Sequence, residues 1–136
     1  MRYLIIALLA YGGYFYFNHH LYEIHQLHDS LAYARKYPDS NVSPAIDYYA
    51  GNIYYARAEY PQAQEAFAQL LTDYPTAQYV PTALVRLEDS AENNKDWDTA
   101  RTAAGKYIDD YPGGEETNLM RQRLEMVNYH HGTGGQ

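Results

Sequence analysis

The dipeptide Tyr-Pro stands at residues 37–38, 74–75 and 111–112, so it recurs twice at an interval of 37 residues. The same interval relates Pro44 to Pro81, Ala63 to Ala100, and Glu59-Tyr60 to Asp96-Trp97. Self-similarity at a fixed period means that one supersecondary unit is repeated and that each unit buries its apolar face against the next. That constraint excludes most folds before any single residue is considered.

Within each period the pattern is helical, in pairs. Ser43-Pro44 reads as an N-cap followed by proline at the first helical position. A helix is predicted over 45–58, and Pro61 restarts the chain. The next helix, 62–73, carries Ala63, Ala66, Phe67, Leu70 and Leu71 on one stripe. Tyr74-Pro75 ends it, because the residue before a proline is pushed out of the helical region. Thr76 or Val80-Pro81 opens a third helix running to about Asn93, and Asp96 suits the N-cap of a fourth over 97–110. Pro112-Gly113-Gly114 breaks the chain, and Glu115-Glu116 favours the positive end of a last helix reaching about Tyr129. Residues 130–136 read as a flexible tail.

The residues inside the unit resemble the tetratricopeptide repeat. That motif takes Gly or Ala, then Tyr, Ala, Phe and Pro; Gly51, Tyr54, Ala63, Phe67 and Pro75 follow it at spacings of 3, 9, 4 and 8. The second unit keeps Ala100 and Pro112 and departs at Glu88, Ala91 and Ala104. The resemblance covers roughly residues 20–129 and implies an all-α fold: an α-solenoid of helix-turn-helix repeats with period 37. A long hydrophobic N-terminal helix precedes it, and a capping helix closes it with Leu119, Met120, Leu124 and Val127 as inward candidates. In this reading Ala63 and Ala100 let paired helices approach, Phe67 fills the gap to the next pair, and Tyr54 packs between helices. Residues 25–37 lie one period before 62–74 and so take a second-helix place, with Leu21, Ile24, Leu27, Leu31 and Ala34 as the apolar stripe.

Residues 3–17 carry no charge. A helix of that length covers about 22 Å, short of a hydrocarbon core of about 30 Å, although Tyr11, Tyr14, Tyr16 and Tyr22 could extend it at headgroup level. An uncleaved anchor over residues 1–19 is the leading reading. Cleavage near Ala10-Tyr11-Gly12, or burial of the helix in an oligomer or filament core, are the others. Arg2 as the only early cation, against a net charge of −7, favours the N-terminus in the cytoplasm and the bulk outside.

Composition removes other classes. No Lys/Arg run exists to face nucleic acid. The absence of cysteine excludes disulfides, thiolate metal sites and lipidation through Cys. His25, His28 and Asp29, with His19-His20 nearby, have the spacing of a metal site, but a polar helix face is the better reading, as it is for His130-His131 in the tail. Glu88/Asp89 and Asp109/Asp110 read as solvated faces rather than acid–base pairs. No cofactor, no metal and no enzymatic activity are expected. Asn41-Val42-Ser43 is a glycosylation sequon in an exposed loop.

In this repeat family the first helix of each pair lines a concave face. The residues that the resemblance places there are Tyr48, Asn52 and Tyr55, flanked by Ala45 and Ala56; then Val85, Asp89 and Glu92, with Thr82 and Asn93; and then Gln122, Met126 and Tyr129 after Leu119. The expected groove is aromatic at one end and acidic in the middle, suited to an extended peptide with apolar or basic residues. Asn52 matches a place used by relatives that grip a terminal carboxylate, but Tyr48 stands where a cation is wanted. The order of anchor and repeats looks like bacterial envelope proteins of the family. It implies a non-enzymatic interaction module held at the inner membrane by residues 3–17, with its repeats outside the cytoplasm and a protein or peptide partner. The alternative is a structural subunit of a filament, a large membrane complex or another extracellular assembly. Tyrosine at 17 of 136 residues suits such self-association.

Overall fold

The structure, a computed structural model, describes residues 42–132 together with residues 11, 31, 32, 35 and 36. The chain divides into two compact units, residues 1–37 and 38–136. In the first unit the five described residues are helical. Leu31 is buried, whereas Tyr11, Ala32, Arg35 and Lys36 are exposed, so Leu31 lies on the inward side of its helix as its stripe predicted. The predicted anchor over residues 1–19 falls outside the described residues except for Tyr11. Asn41 and the cluster of His19, His20, His25, His28 and Asp29 fall outside them altogether. Among the described residues no helix is long and apolar enough to cross a membrane.

In the second unit the described residues form five helices: α1 Ser43–Ala56, α2 Tyr60–Asp73, α3 Val80–Asn93, α4 Trp97–Asp110 and α5 Thr117–His131. Consecutive helices pack together, α1 on α2, α2 on α3, α3 on α4 and α4 on α5, and α1 also reaches α3. These are two antiparallel helix pairs followed by a closing helix, as in a tetratricopeptide-like solenoid.

The period of 37 governs the backbone as well as the side chains. Ala58 and Lys95, one period apart, hold φ of 58° and 59°. A residue in this left-handed region reverses the chain after a helix and returns later N–H groups to its last carbonyls. Accordingly, the Glu59 N–H donates to the Tyr54 carbonyl at 2.9 Å and the Asp96 N–H to the Ala91 carbonyl at 2.8 Å. The links between pairs repeat in the same way. Ala77 donates to Tyr74 at 3.0 Å and Gly114 to Tyr111 at 2.9 Å; Val80 donates to Ala77 at 3.1 Å and Thr117 to Gly114 at 3.2 Å.

Helix starts agree with the sequence in one pair and differ in another. The Asp96 side chain accepts from the Thr99 N–H at 3.2 Å and caps α4, as predicted. Ser43, predicted as a cap, is instead the first residue of α1. The helix starts one residue early because the Val42 carbonyl already accepts from the Ile46 N–H at 3.1 Å, which draws Ser43 into the helix, where it is buried.

The core sits between the layers. Ala63, Ala66, Phe67, Leu70, Ala83 and Ala100 are fully buried, and Leu84 is nearly so. Tyr54 is 7% exposed and packs, as its repeat position implied. In α5, Met120 and Val127 face inward and Leu119 and Leu124 are half-buried. Val127 joins Ala91 and Ala100 in one buried cluster, with Trp97 packed against it. The helix runs two residues past its predicted end because Trp97 stacks on His131, with centroids 3.7 Å apart, and Arg101 Nη2 donates to the His131 carbonyl at 3.2 Å.

Candidate partner-binding face

Helices α1, α3 and α5 are the first helices of their units, and the predicted contact residues lie on them. Helix α1 also reaches α3, and tyrosines contribute to the contact. Tyr48 stacks on Tyr79 with centroids 4.7 Å apart and planes at 21°, and presents an edge to Phe67 at 6.5 Å. Asn52 turns back to its own helix, where Nδ2 donates to the Tyr48 carbonyl at 2.9 Å. The Tyr55 hydroxyl donates to the Asp89 carboxylate, and the Arg86 guanidinium carbon lies 4.8 Å above the Tyr55 ring. The hydrogen bond to Asp89, burial and the Asp89 charge raise the Tyr55 pKa, while Arg86 lowers it. Tyr48 and Tyr55 therefore tie α1 to α3 and to the turn before it.

Arg123 of α5 makes the corresponding bridge to α3. Its Nη1 donates to Glu88 Oε2 at 2.7 Å and Asp89 Oδ1 at 2.8 Å, and Glu92 lies at 4.0 Å. The three carboxylates have oxygens within 4.8 Å of one another, a donor set suited in chemistry to a hard divalent cation. Here the guanidinium already supplies the positive charge. Burial pushes the Glu88 carboxyl up to about 7; Arg123 opposes that shift and Glu92 adds to it. Glu88 Oε1 has no hydrogen-bond partner among the described residues, which adds to the cost of ionising this carboxyl.

Glu88 is fully buried, which corrects its reading as part of a solvated face. The physical reason is a compensated exchange. Glu88 stands one period after Gly51, and Ala104 one period after Phe67. In the first unit the Phe67 ring fills the space over Gly51; a Cβ on Gly51 would meet its Cε1 at 2.6 Å. At the corresponding places in the second unit stand Glu88 and the small Ala104, both buried, so bulk passes from the second helix of the pair to the first. Sequence reasoning also missed Arg86 and Arg123. They are one period apart, and each reaches back to the first helix of the preceding unit. The repeat itself was the signal that could have found them.

The rest of the face is open. Gln122 is exposed, Met126 is 53% exposed and Tyr129 is 86% exposed, all on α5. Val85 is half-buried. Two clefts flank the Arg123 bridge along α3 and α5. One, of about 300 Å³, lies at their C-terminal ends among Glu92, Trp97, Met126, Val127 and His131. The other, of about 490 Å³, lies at their N-terminal ends among Pro81, Val85, Tyr107, Tyr111, Glu115 and Glu116. The face thus offers aromatic and thioether surface, unevenly spread carboxylates and two recesses.

Comparison with known families agrees with the architecture. The family model of the tetratricopeptide repeat matches residues 45–77 and 83–114. A comparison with curated proteins found no match.

Proposed function

Because the chain carries two tetratricopeptide repeats, a motif that generally mediates protein–protein interaction and is typically non-catalytic, we propose that it is an interaction module that holds an extended partner peptide on the face formed by α1, α3 and α5. The observation that carries this reading is the exposure of Met126 and Tyr129 at 53% and 86%, on the helix that closes the stack and beside a cleft of about 300 Å³. Large apolar side chains left open next to a recess mark places where a partner gains most. Val85, Asp89, Glu92 and Gln122 complete the contact at this end. Tyr48, Asn52 and Tyr55 border it at the other, where part of their surface remains half-exposed.

The proposal extends to placement. Residues 3–17 tether the module to the bacterial inner membrane and the repeats act outside the cytoplasm. The uncharged run after Arg2 and the acidic remainder support this. A display library of short random peptides, panned on the full chain, tests the binding reading. Peptides recovered on the native chain should lose at least tenfold in affinity on a Met126→Ser/Tyr129→Ser variant, whose changes lie at exposed positions and spare the core. Undiminished affinity would reject this face.

A second reading has its own support. Val42, Tyr49 and Ile53 are 56%, 59% and 43% exposed on and just before α1, while Met126 and Tyr129 are exposed on α5. Apolar surface on both the first and last described helices of one unit suits end-to-end contact between copies, as in a filament or complex subunit. Concentration-dependent sedimentation of the full chain separates the two readings.

A further inference from the structure

The cleft at the N-terminal ends of α3 and α5 differs from the rest of the face in one respect: its carboxylates are not neutralised. Glu115 is exposed and Glu116 half-buried at its mouth, and neither has a cationic partner among the described residues. Among the described residues Arg86 is the only cation lining the cleft, and its guanidinium carbon lies over the Tyr55 ring at 4.8 Å. Elsewhere Arg57 pairs with Glu59, Arg101 with Asp98, Lys106 with Asp110, and Arg123 with Glu88 and Asp89. Residues 42–132 hold fourteen acidic against seven basic side chains. Charge of one sign at the mouth of a low-dielectric recess draws the opposite charge toward it.

The walls add a second attraction. The rings of Tyr107 and Tyr111 lie 5.3 Å apart by centroid and, with Pro81 and Val85, form an apolar recess. The loop is held against them, since the Glu116 N–H donates to the Tyr107 hydroxyl at 3.3 Å. Gly114 permits that approach: a Cβ there would meet the same hydroxyl at 2.6 Å. An aromatic recess with carboxylates at its rim suits a long aliphatic stem ending in a cation. The stem packs on the rings, the charge meets the carboxylates, and ring faces themselves attract cations.

We infer that this cleft takes a lysine or arginine side chain of the partner peptide, held by Glu115 and Glu116 at the rim and by Tyr107 and Tyr111 within. The inference rests on the reading of the chain as a peptide-binding module and names the partner's chemistry at one end of the face.

The test uses backbone amide shifts of the full chain, titrated with a short acetylated and amidated Ser/Gly peptide carrying a Lys-Leu pair. Gln-Leu and Glu-Leu counterparts serve as controls. The Lys peptide should move the amides of Tyr111, Glu115 and Glu116, bind about tenfold more tightly than the Gln peptide, and weaken as salt is raised. Glu115→Gln with Glu116→Gln should remove that preference with only a small fall in melting temperature, since both charges also favour the positive end of α5. Thr82→Trp, at an exposed position on the cleft wall, should block binding without touching a charge. Equal affinity for the Lys and Gln peptides, unaltered preference in the double variant, or no shift at millimolar Lys peptide would overturn the cleft assignment. Lys-peptide shifts confined to Met126 and Tyr129 would overturn it while leaving the module reading in place. Failure of every peptide in the series and of the display library would overturn both.

Discussion

The Phe67 ring packs against Gly51 so closely that a Cβ there would meet its Cε1 at 2.6 Å. Phe67 is fully buried and Tyr48 packs on it edge-on at 6.5 Å, which leaves the ring little room to retreat. Glycine in a helix interior is ordinarily a weakness that alanine repairs by up to about 1 kcal/mol. Here the sign reverses. Gly51→Ala should destabilise the fold by about 1–3 kcal/mol through overpacking, and Phe67→Leu added to it should recover part of the loss. Phe67→Ala alone should cost about 3–5 kcal/mol as a large core truncation. Urea denaturation of the four proteins checks the set.

The turns of the two hairpins carry strain that glycine would relieve. Ala58 and Lys95 have φ of 58° and 59°, a conformation in which a Cβ crowds the following carbonyl. Ala58→Gly and Lys95→Gly should each raise stability by up to about 1 kcal/mol, and the two effects should add because the turns share no partner. A fall in melting temperature in either variant would show that the left-handed turn is not maintained in solution.

Glu88 links stability to pH. Its carboxyl is pushed up to about 7 by burial, while Arg123, Asp89 and Glu92 are the charged groups around it. Between its ordinary value and that raised value the folded chain holds a proton that the unfolded chain has released. Stability from this group is therefore full at low pH and lost as pH rises through about 7. The melting temperature should be higher near about pH 5.5 than near about pH 8. Glu88→Gln should flatten the difference.

Asp96 works in the opposite direction. Hydrogen bonds from Thr99 lower its pKa, burial opposes them, and Gln64 Nε2, donating at 2.8 Å, lowers it further. Its contribution is present above the ordinary carboxylate value and lost as pH falls through the depressed folded value. Gln64 Oε1 also accepts from Asn94 Nδ2 at 2.7 Å, so this cap fastens α2 to the second hairpin turn. Asp96→Ala should cost about 1–2 kcal/mol, and Asp96→Asn much less. Thermal melts at neutral pH distinguish them.

Much of the fold was legible because the period is carried by residues whose roles are local. Proline after Tyr74 and Tyr111 stops a helix wherever it occurs, and Asp96 caps one with its own side chain. Ala63 and Ala100, fully buried, mark the close helix contacts that the repeat requires. What sequence could not show is compensation between distant residues. The second unit looks degenerate because Glu88 replaces Gly51 and Ala104 replaces Phe67, yet both are buried and the pair exchanges bulk between its helices. Tyr107 and Gly114 likewise stand one period after Leu70 and Ala77, exchanging a smaller pair of bulk and space for a larger one. The hairpin turns were missed for a different reason. Ala58 and Lys95 lack the glycine that usually marks a left-handed residue. The intramolecular engagement of Tyr48, Tyr55 and Asp89 is not legible in the sequence because their partners Tyr79, Arg86 and Arg123 lie on other helices or in a connecting loop.

The most direct test maps a bound peptide on the folded chain. A peptide recovered from the display library should shift the backbone amides of Val85, Glu92, Gln122, Met126 and Tyr129, leaving Ala68, Thr72 and Asp109 on the outer helices unmoved. A footprint centred on α2 and α4, or a library that yields no specific binder, would contradict the assignment of this face to partner binding.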